Sequence, residues 1–168
     1  FNVAAIRLLS LTGMRRGEVL GLKWSYIDRA NRIVTLPESK TGKSVRPISA
    51  FTVEYLNQLE KMHRKPGCEW VIYGRNGAHL HAKALHSMWV RLRKKIGLED
   101  VRIHDLRHSA ASDALNAGVP LAVVGAILGH KSPQTTARYA HVASNVARDA
   151  TDRMTAGMAR IVRGVGGK

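Results

Sequence analysis

The stretch Arg102-Ile-His-Asp-Leu-Arg-His-Ser109 decides how this 168-residue chain is read. It has the form of a helix opening, with Asp105 near the start. His104 and Arg107 stand at i and i+3, so both side chains leave on one face, a turn apart. Arg107 falls inside an apolar pattern of Leu106, Ala110, Ala111, Ala114 and Leu115, where a surface arginine is out of place. A guanidinium held beside an imidazole suits a bound phosphate, because it combines forked donors with a group that can move a proton. A solvated, charged helix start is the alternative reading of the octapeptide taken alone.

Working outward, the helix runs from Asp105 to Ala117 and stops at Gly118. Pro120 suits the first turn of an almost wholly apolar helix over 120–128, ended by Gly129 and followed by His130. Ser132-Pro133 reads as the N-cap and first position of another helix carrying Gln134 to Tyr139. A last helix is predicted over 145–162, and the Gly-rich residues 164–168 form a flexible tail. Upstream, residues 82–96 give the clearest amphipathic helix, with Leu85, Met88, Trp89, Leu92 and Ile96 on one side. Its other side carries Lys83, Arg91, Arg93, Lys94 and Lys95, read either as a solvated face or as contacts to a DNA backbone.

The first half begins with a helix over 2–12, apolar nearly all round and therefore expected to be buried. Thr12-Gly13 breaks it, and a short helix follows from Arg15 to Gly21, with Arg15 and Glu18 on one face. Trp24 and Ile27 are core anchors, and Asp28 and Asn31 mark a turn. Residues 32–36 and 45–48 read as two antiparallel strands, with Lys40 near the tip of the hairpin and Lys43 close by. Residues 51–64 form a helix with Phe51, Val53, Tyr55, Leu56, Leu59 and Met62 as its apolar set. Trp70 to Tyr73 is the expected third strand. The fold class is mainly α with a small three-stranded antiparallel sheet, an α+β arrangement.

Lys and Arg number 27 against 12 Asp and Glu, a net charge of +15. A chain this basic usually meets a polyanion, with nucleic acid the first candidate. Cys68 is the single cysteine, which excludes an internal disulfide framework. No run of 18 apolar residues is present, so no membrane partner is expected.

In order, the chain presents Thr12-Gly-Met-Arg15-Arg-Gly-Glu18, Leu22-Lys-Trp24, Lys40 in a hairpin, His104-Asp-Leu-Arg107-His108, Leu128-Gly-His130 and then Tyr139. This series closely resembles the catalytic domain of the tyrosine recombinases, the phage-integrase family. The resemblance spans about residues 4–150 and departs from the family pattern at no catalytic position. It implies a DNA breaking-rejoining fold over 1–163, truncated at its N-terminus and lacking the core-binding domain that relatives carry upstream. It implies site-specific cleavage and rejoining of DNA through a 3′-phosphotyrosyl intermediate, in integration or excision of a prophage or mobile element.

By motif position Tyr139 is the nucleophile, and Arg15 and Arg107 clamp the phosphate. Lys40 protonates the departing 5′-oxygen, His104 is the general acid/base and His130 bonds the phosphate. Glu18 orients the neighbouring basic groups, and His108 is a supporting residue. Arg16, Lys43, Arg91, Arg93, Lys94 and Lys95 are candidate DNA contacts. No metal or other cofactor is implied, since two fixed guanidiniums can neutralise the developing charge. The implied partners are double-stranded attachment sites and, on DNA, three further copies in a tetramer. The fragment alone is expected to be a monomer that binds DNA weakly. A directionality factor and a bacterial cytoplasmic, nucleoid-associated location complete the expectation. The alternatives are a type IB topoisomerase-like enzyme and a catalytically silent DNA-binding relative. A zinc pair at His104 and His108 is disfavoured, because Asp105 stands where a metalloprotease motif needs Glu.

Overall fold

The structure, a computed structural model, describes residues 1–37, 43–75, 77–130, 132–140, 142, 148 and 151. Lys40, the predicted helix over 145–162 (apart from Arg148 and Thr151) and the tail over 164–168 lie outside the described residues. Helix α1 spans Asn2–Thr12 and α2 Arg16–Leu20. Strands β1 (Ile27–Asp28), β2 (Ile33–Leu36) and β3 (Ser44–Pro47) follow, then α3 (Ala50–His63) and α4 (Ala82–Lys95). The chain continues through α5 (Asp105–Asn116), α6 (Leu121–Leu128) and α7 (Pro133–Ala137). Among the described residues no helix is long and apolar enough to cross a membrane.

The helix ends follow local signals. Gly13 closes α1 in the left-handed region at φ 59, with its N–H bonded to the Leu9 carbonyl. The Ser49 side chain caps α3 by accepting from the Thr52 N–H. Ser132 and Pro133 start α7 as N-cap and first residue.

The sheet is antiparallel in the order β1-β2-β3, with Val34 opposite both Ile27 and Arg46. Its third strand is Ile27–Asp28 rather than Trp70–Tyr73. The Asp28 carboxylate accepts from the backbone and side chain of Asn31, which turns the chain straight back into β2. The 70–73 segment is held instead by single bridges, Lys23 to Trp70 and Tyr73 to His79. Val71 and Ile72 are buried there without a sheet of their own.

Among the described residues two apolar clusters form the core. The larger joins α1 to α4 and the sheet, with Leu8, Met14, Val19, Val34, Leu56, Ile72 and Leu85 among its members. The smaller comprises Ala111, Leu115, Val124, Leu128 and Tyr139. Helix α1 packs on α5, and α6 meets β3, so the two clusters adjoin. Helix α1 is buried on one side through Ala4, Ala5, Leu8 and Leu9, while Val3 and Leu11 face out; it is not buried all round. On α3 the buried residues are Thr52, Leu56 and Leu59, and Phe51 and Met62 are each 62% exposed. Ile96 caps α4 from outside the helix and is exposed, because the helix axis has by then left the core.

Candidate active site

Arg107 is the buried centre of the site. It is 5% exposed, its Nη1 donates to the Gly13 carbonyl at 2.6 Å and its Nη2 to the Leu128 carbonyl at 2.8 Å. One guanidinium therefore ties α5 to the α1–α2 turn and to the carboxyl end of α6. Burial, then the charge of Arg15, push its pKa down to about 10, which leaves it charged at neutral pH.

Arg15 is the N-cap of α2, and its side chain reaches forward to Glu18. Arg15 N donates to one Glu18 oxygen at 2.8 Å and Arg15 Nη1 to the other at 2.9 Å. Arg46 Nη2 donates to that second oxygen at 3.0 Å. Burial alone would raise the Glu18 pKa. The Arg15 N–H, the charge of Arg46 and the two side-chain bonds outweigh it, so the carboxyl sits below its ordinary value of 4.5. A carboxylate whose folded value is depressed stabilises the fold above the ordinary value, and that stability is lost as pH falls through the folded one. Glu18→Gln should therefore remove part of the acid limb of stability below pH 4.5, read by urea denaturation across pH; an unchanged limb would exclude Glu18 as its source.

Arg15, Arg16, His104 and Arg107 line one cleft of about 400 Å³, floored by Leu9, Met14 and Ile103. The residues that the sequence placed in separate motifs thus converge. His104 is the N-cap of α5 and is exposed, with its ring edge-on to His108 at 5.1 Å between centroids. Burial, then His108 and Arg107, lower its pKa. His130 follows the left-handed Gly129, and its Nδ1 lies 2.9 Å from the Thr136 hydroxyl. Burial and the charges of Arg107, Arg15, Arg138 and Arg46 push its pKa down to about 4, so it is neutral at pH 7. A hydroxyl donating to Nδ1 leaves the ring proton on Nε2, free to donate elsewhere. Tyr139 is 6% exposed, and its oxygen lies 2.6 Å from Nδ1 of His108.

The predicted DNA contacts divide. Arg16 lines the cleft. Lys43, Arg91, Lys94 and Lys95 are exposed and line no part of it. Arg93 is instead half-buried, with Nη1 on the Val101 carbonyl beside the Trp89 indole N–H. Those two donors fix the segment that leads into His104.

Arg46 is the residue that the sequence did not single out. It is 1% exposed, and its Nε and Nη1 have no hydrogen-bond partner among the described residues. Its guanidinium lies against Gly129, so that a Cβ at that glycine would fall 0.9 Å from Nη1. The signal was strand parity: Arg46 and the buried Ile48 share one face, while Val45 points out. Two guanidiniums therefore meet the carboxyl end of α6, where the helix dipole favours positive charge.

The family model described as "Phage integrase family" matches residues 2–145. The chain belongs to the phage integrase family. Among similar phage-integrase relatives, the tyrosine recombinase XerC of Corynebacterium efficiens is 32% identical over 143 residues, covering 84% of this chain and 46% of that protein. The integrase of Salmonella phage P22 is 30% identical over 146 residues, covering 80% of this chain and 37% of that one. The chain thus spans less than half the length of these relatives. The crystal structure of the XerA recombinase is similar in fold, with a TM-score of 0.71 at 23% identity, covering 91% of this chain and 62% of that chain. XerH bound to a palindromic difH substrate gives a TM-score of 0.70 at 24% identity, covering 90% of this chain and 45% of that one.

Proposed function

We propose that this phage-integrase chain is the catalytic domain of a site-specific DNA recombinase, which cuts and rejoins strands through a 3′-phosphotyrosyl link at Tyr139. The convergence of Arg15, Arg107 and His104 on one cleft carries this reading. A protonated phenol is a weak nucleophile, so the tyrosine needs a proton acceptor and an electropositive site. Arg15 and Arg107 neutralise charge on the non-bridging oxygens, and neutral His130 donates to them through Nε2. Lys40 protonates the leaving 5′-oxygen, His104 assists proton transfer and Glu18 holds Arg15 in place. Arg16 and the exposed Lys43, Arg91, Lys94 and Lys95 contact the DNA backbone, where each neutralised phosphate steepens the salt dependence of binding. The bond energy stays in the tyrosyl ester, so rejoining needs neither ATP nor metal. The active assembly is a tetramer on two attachment sites, working in the bacterial cytoplasm at the nucleoid, with a directionality factor choosing integration or excision.

The test uses the full chain and nicked duplexes cut from the DNA flanking its gene. Wild type should form a detergent-resistant protein–DNA adduct, and Tyr139→Phe should form none. An adduct that persists in Tyr139→Phe would overturn the assignment of the nucleophile. Binding without an adduct on every duplex would mark a catalytically silent DNA-binding protein instead.

A further inference from the structure

The motif order assigns the proton chemistry of the nucleophile to His104, but the phenol is bonded to a different imidazole. The Tyr139 oxygen lies 2.6 Å from Nδ1 of His108, with ring centroids 5.9 Å apart. His104 touches His108 edge-on, and among the described residues it makes no hydrogen bond to the phenol. The rest of the tyrosine ring is packed with Ala111, Leu115, Val124 and Leu128, which offer its hydroxyl no acceptor side chain. His108 is also adjacent to Arg107 on α5, a helix pinned at Gly13 and Leu128 by that arginine. The backbone that carries the imidazole is thereby held close to the guanidinium.

We infer that His108 is the proton acceptor for Tyr139, a catalytic residue that takes the phenolic proton on Nδ1 as the oxygen attacks phosphorus. The inference rests on the recombinase reading above. The O–P bond forms, the P–O5′ bond breaks and its electron pair goes to O5′, which takes a proton from the general acid. The phenolic proton ends on His108. In rejoining, the 5′-hydroxyl returns its proton to the former general acid as it attacks phosphorus, the P–O bond to Tyr139 breaks, and the phenolate recovers its proton from His108. The groups facing the ring are Asp105, Arg102 and Arg107 along its own segment, His104 beside it and Arg138 from the turn after α7. Burial and Arg138 first, then Arg102 and Arg107, outweigh Asp105 and keep the imidazole below its usual value. It is therefore neutral and able to accept at pH 7. Transfer from a free phenol to such a base is uphill, but the proton becomes far more acidic as the oxygen becomes an aryl phosphate ester. Transfer concerted with attack is then favourable.

The sign of a coupling separates an accepting His108 from one that only donates to hold the ring. In the full chain, the pKa of His108 is followed by ring-15N NMR in wild type and in Tyr139→Phe. If Nδ1 accepts the phenolic proton, the bond favours the neutral ring, and its loss raises the His108 pKa. A fall, or no change, overturns the proposal. The second arm measures adduct formation on the flanking duplexes carrying sulfur at the 5′-bridging position, a leaving group that needs no acid. His108→Gln should remain roughly 10²- to 10⁴-fold slower than wild type and lose the acid limb of the rate–pH profile. Lys40→Ala should be restored by the sulfur. A His108→Gln protein with wild-type rate and an intact acid limb sinks the proton-acceptor role and leaves the recombinase reading standing. Wild type that makes no adduct on any duplex ends both.

Discussion

Gly129→Ala lowers the stability of the protein by roughly 2–5 kcal/mol, one of the two largest effects expected of any single substitution. Two causes add. Gly129 sits at φ 66, where an L side chain is strained. Its missing Cβ is also the space that the Arg46 guanidinium fills, since a Cβ there would fall 0.9 Å from Nη1 and 1.8 Å from Cζ. Arg46 cannot move aside freely, because its Nη2 is bonded to Glu18 and the residue is 1% exposed. The causes can be separated by a double-mutant cycle with Arg46→Ala, read by urea denaturation. Removing the arginine makes room for the methyl group, so Gly129→Ala should cost only its backbone strain, roughly 1–2 kcal/mol, in that background. Strict additivity would show that the guanidinium and the glycine do not share this space.

The second is Arg107→Met, which should cost roughly 2–6 kcal/mol by leaving two buried carbonyls, those of Gly13 and Leu128, without their donor. Arg107→Lys keeps the charge, but a single ammonium cannot span two carbonyls on different elements as the fork does. It should recover part of the stability while adduct formation stays roughly 10²- to 10³-fold below wild type. Denaturation midpoints and single-turnover adduct rates read the two effects separately. A Met variant within about 0.5 kcal/mol of wild type would mean that neither carbonyl depends on this side chain.

The helices were legible because their ends are local chemistry. Gly13 and Gly129 are left-handed stops and Ser132-Pro133 is a start, and each is written in one or two residues. Arg107 was legible for the opposite reason: an arginine amid Ala and Leu contradicts its surroundings and points to a buried role. What could not be read depends on docking. Nothing in Trp70 to Tyr73 says that Lys23 and His79 will supply only isolated bridges, or that Ile27–Asp28 will complete the sheet. The inward parity of β3 is settled only when the sheet meets α6, so Arg46 stayed hidden behind the more apolar Val45. The pairing of His108 with Tyr139 joins α5 to a turn 31 positions further on, a separation at which sequence spacing carries no distance information.

Among the described residues, Tyr139 is the one aromatic side chain in a cluster otherwise made of Ala111, Leu115, Val124 and Leu128. On the proposed reading the nucleophilic oxygen is therefore mounted on a structural keystone, and emptying that position would loosen the smaller cluster at the same time as it removes the nucleophile. Phenylalanine, which fills the same volume, isolates the chemistry; alanine would confound a lost nucleophile with a collapsing scaffold. Conversely, on that reading, a chain whose smaller cluster has not yet assembled carries no poised phenol, so strand cleavage would be acquired only with the finished fold.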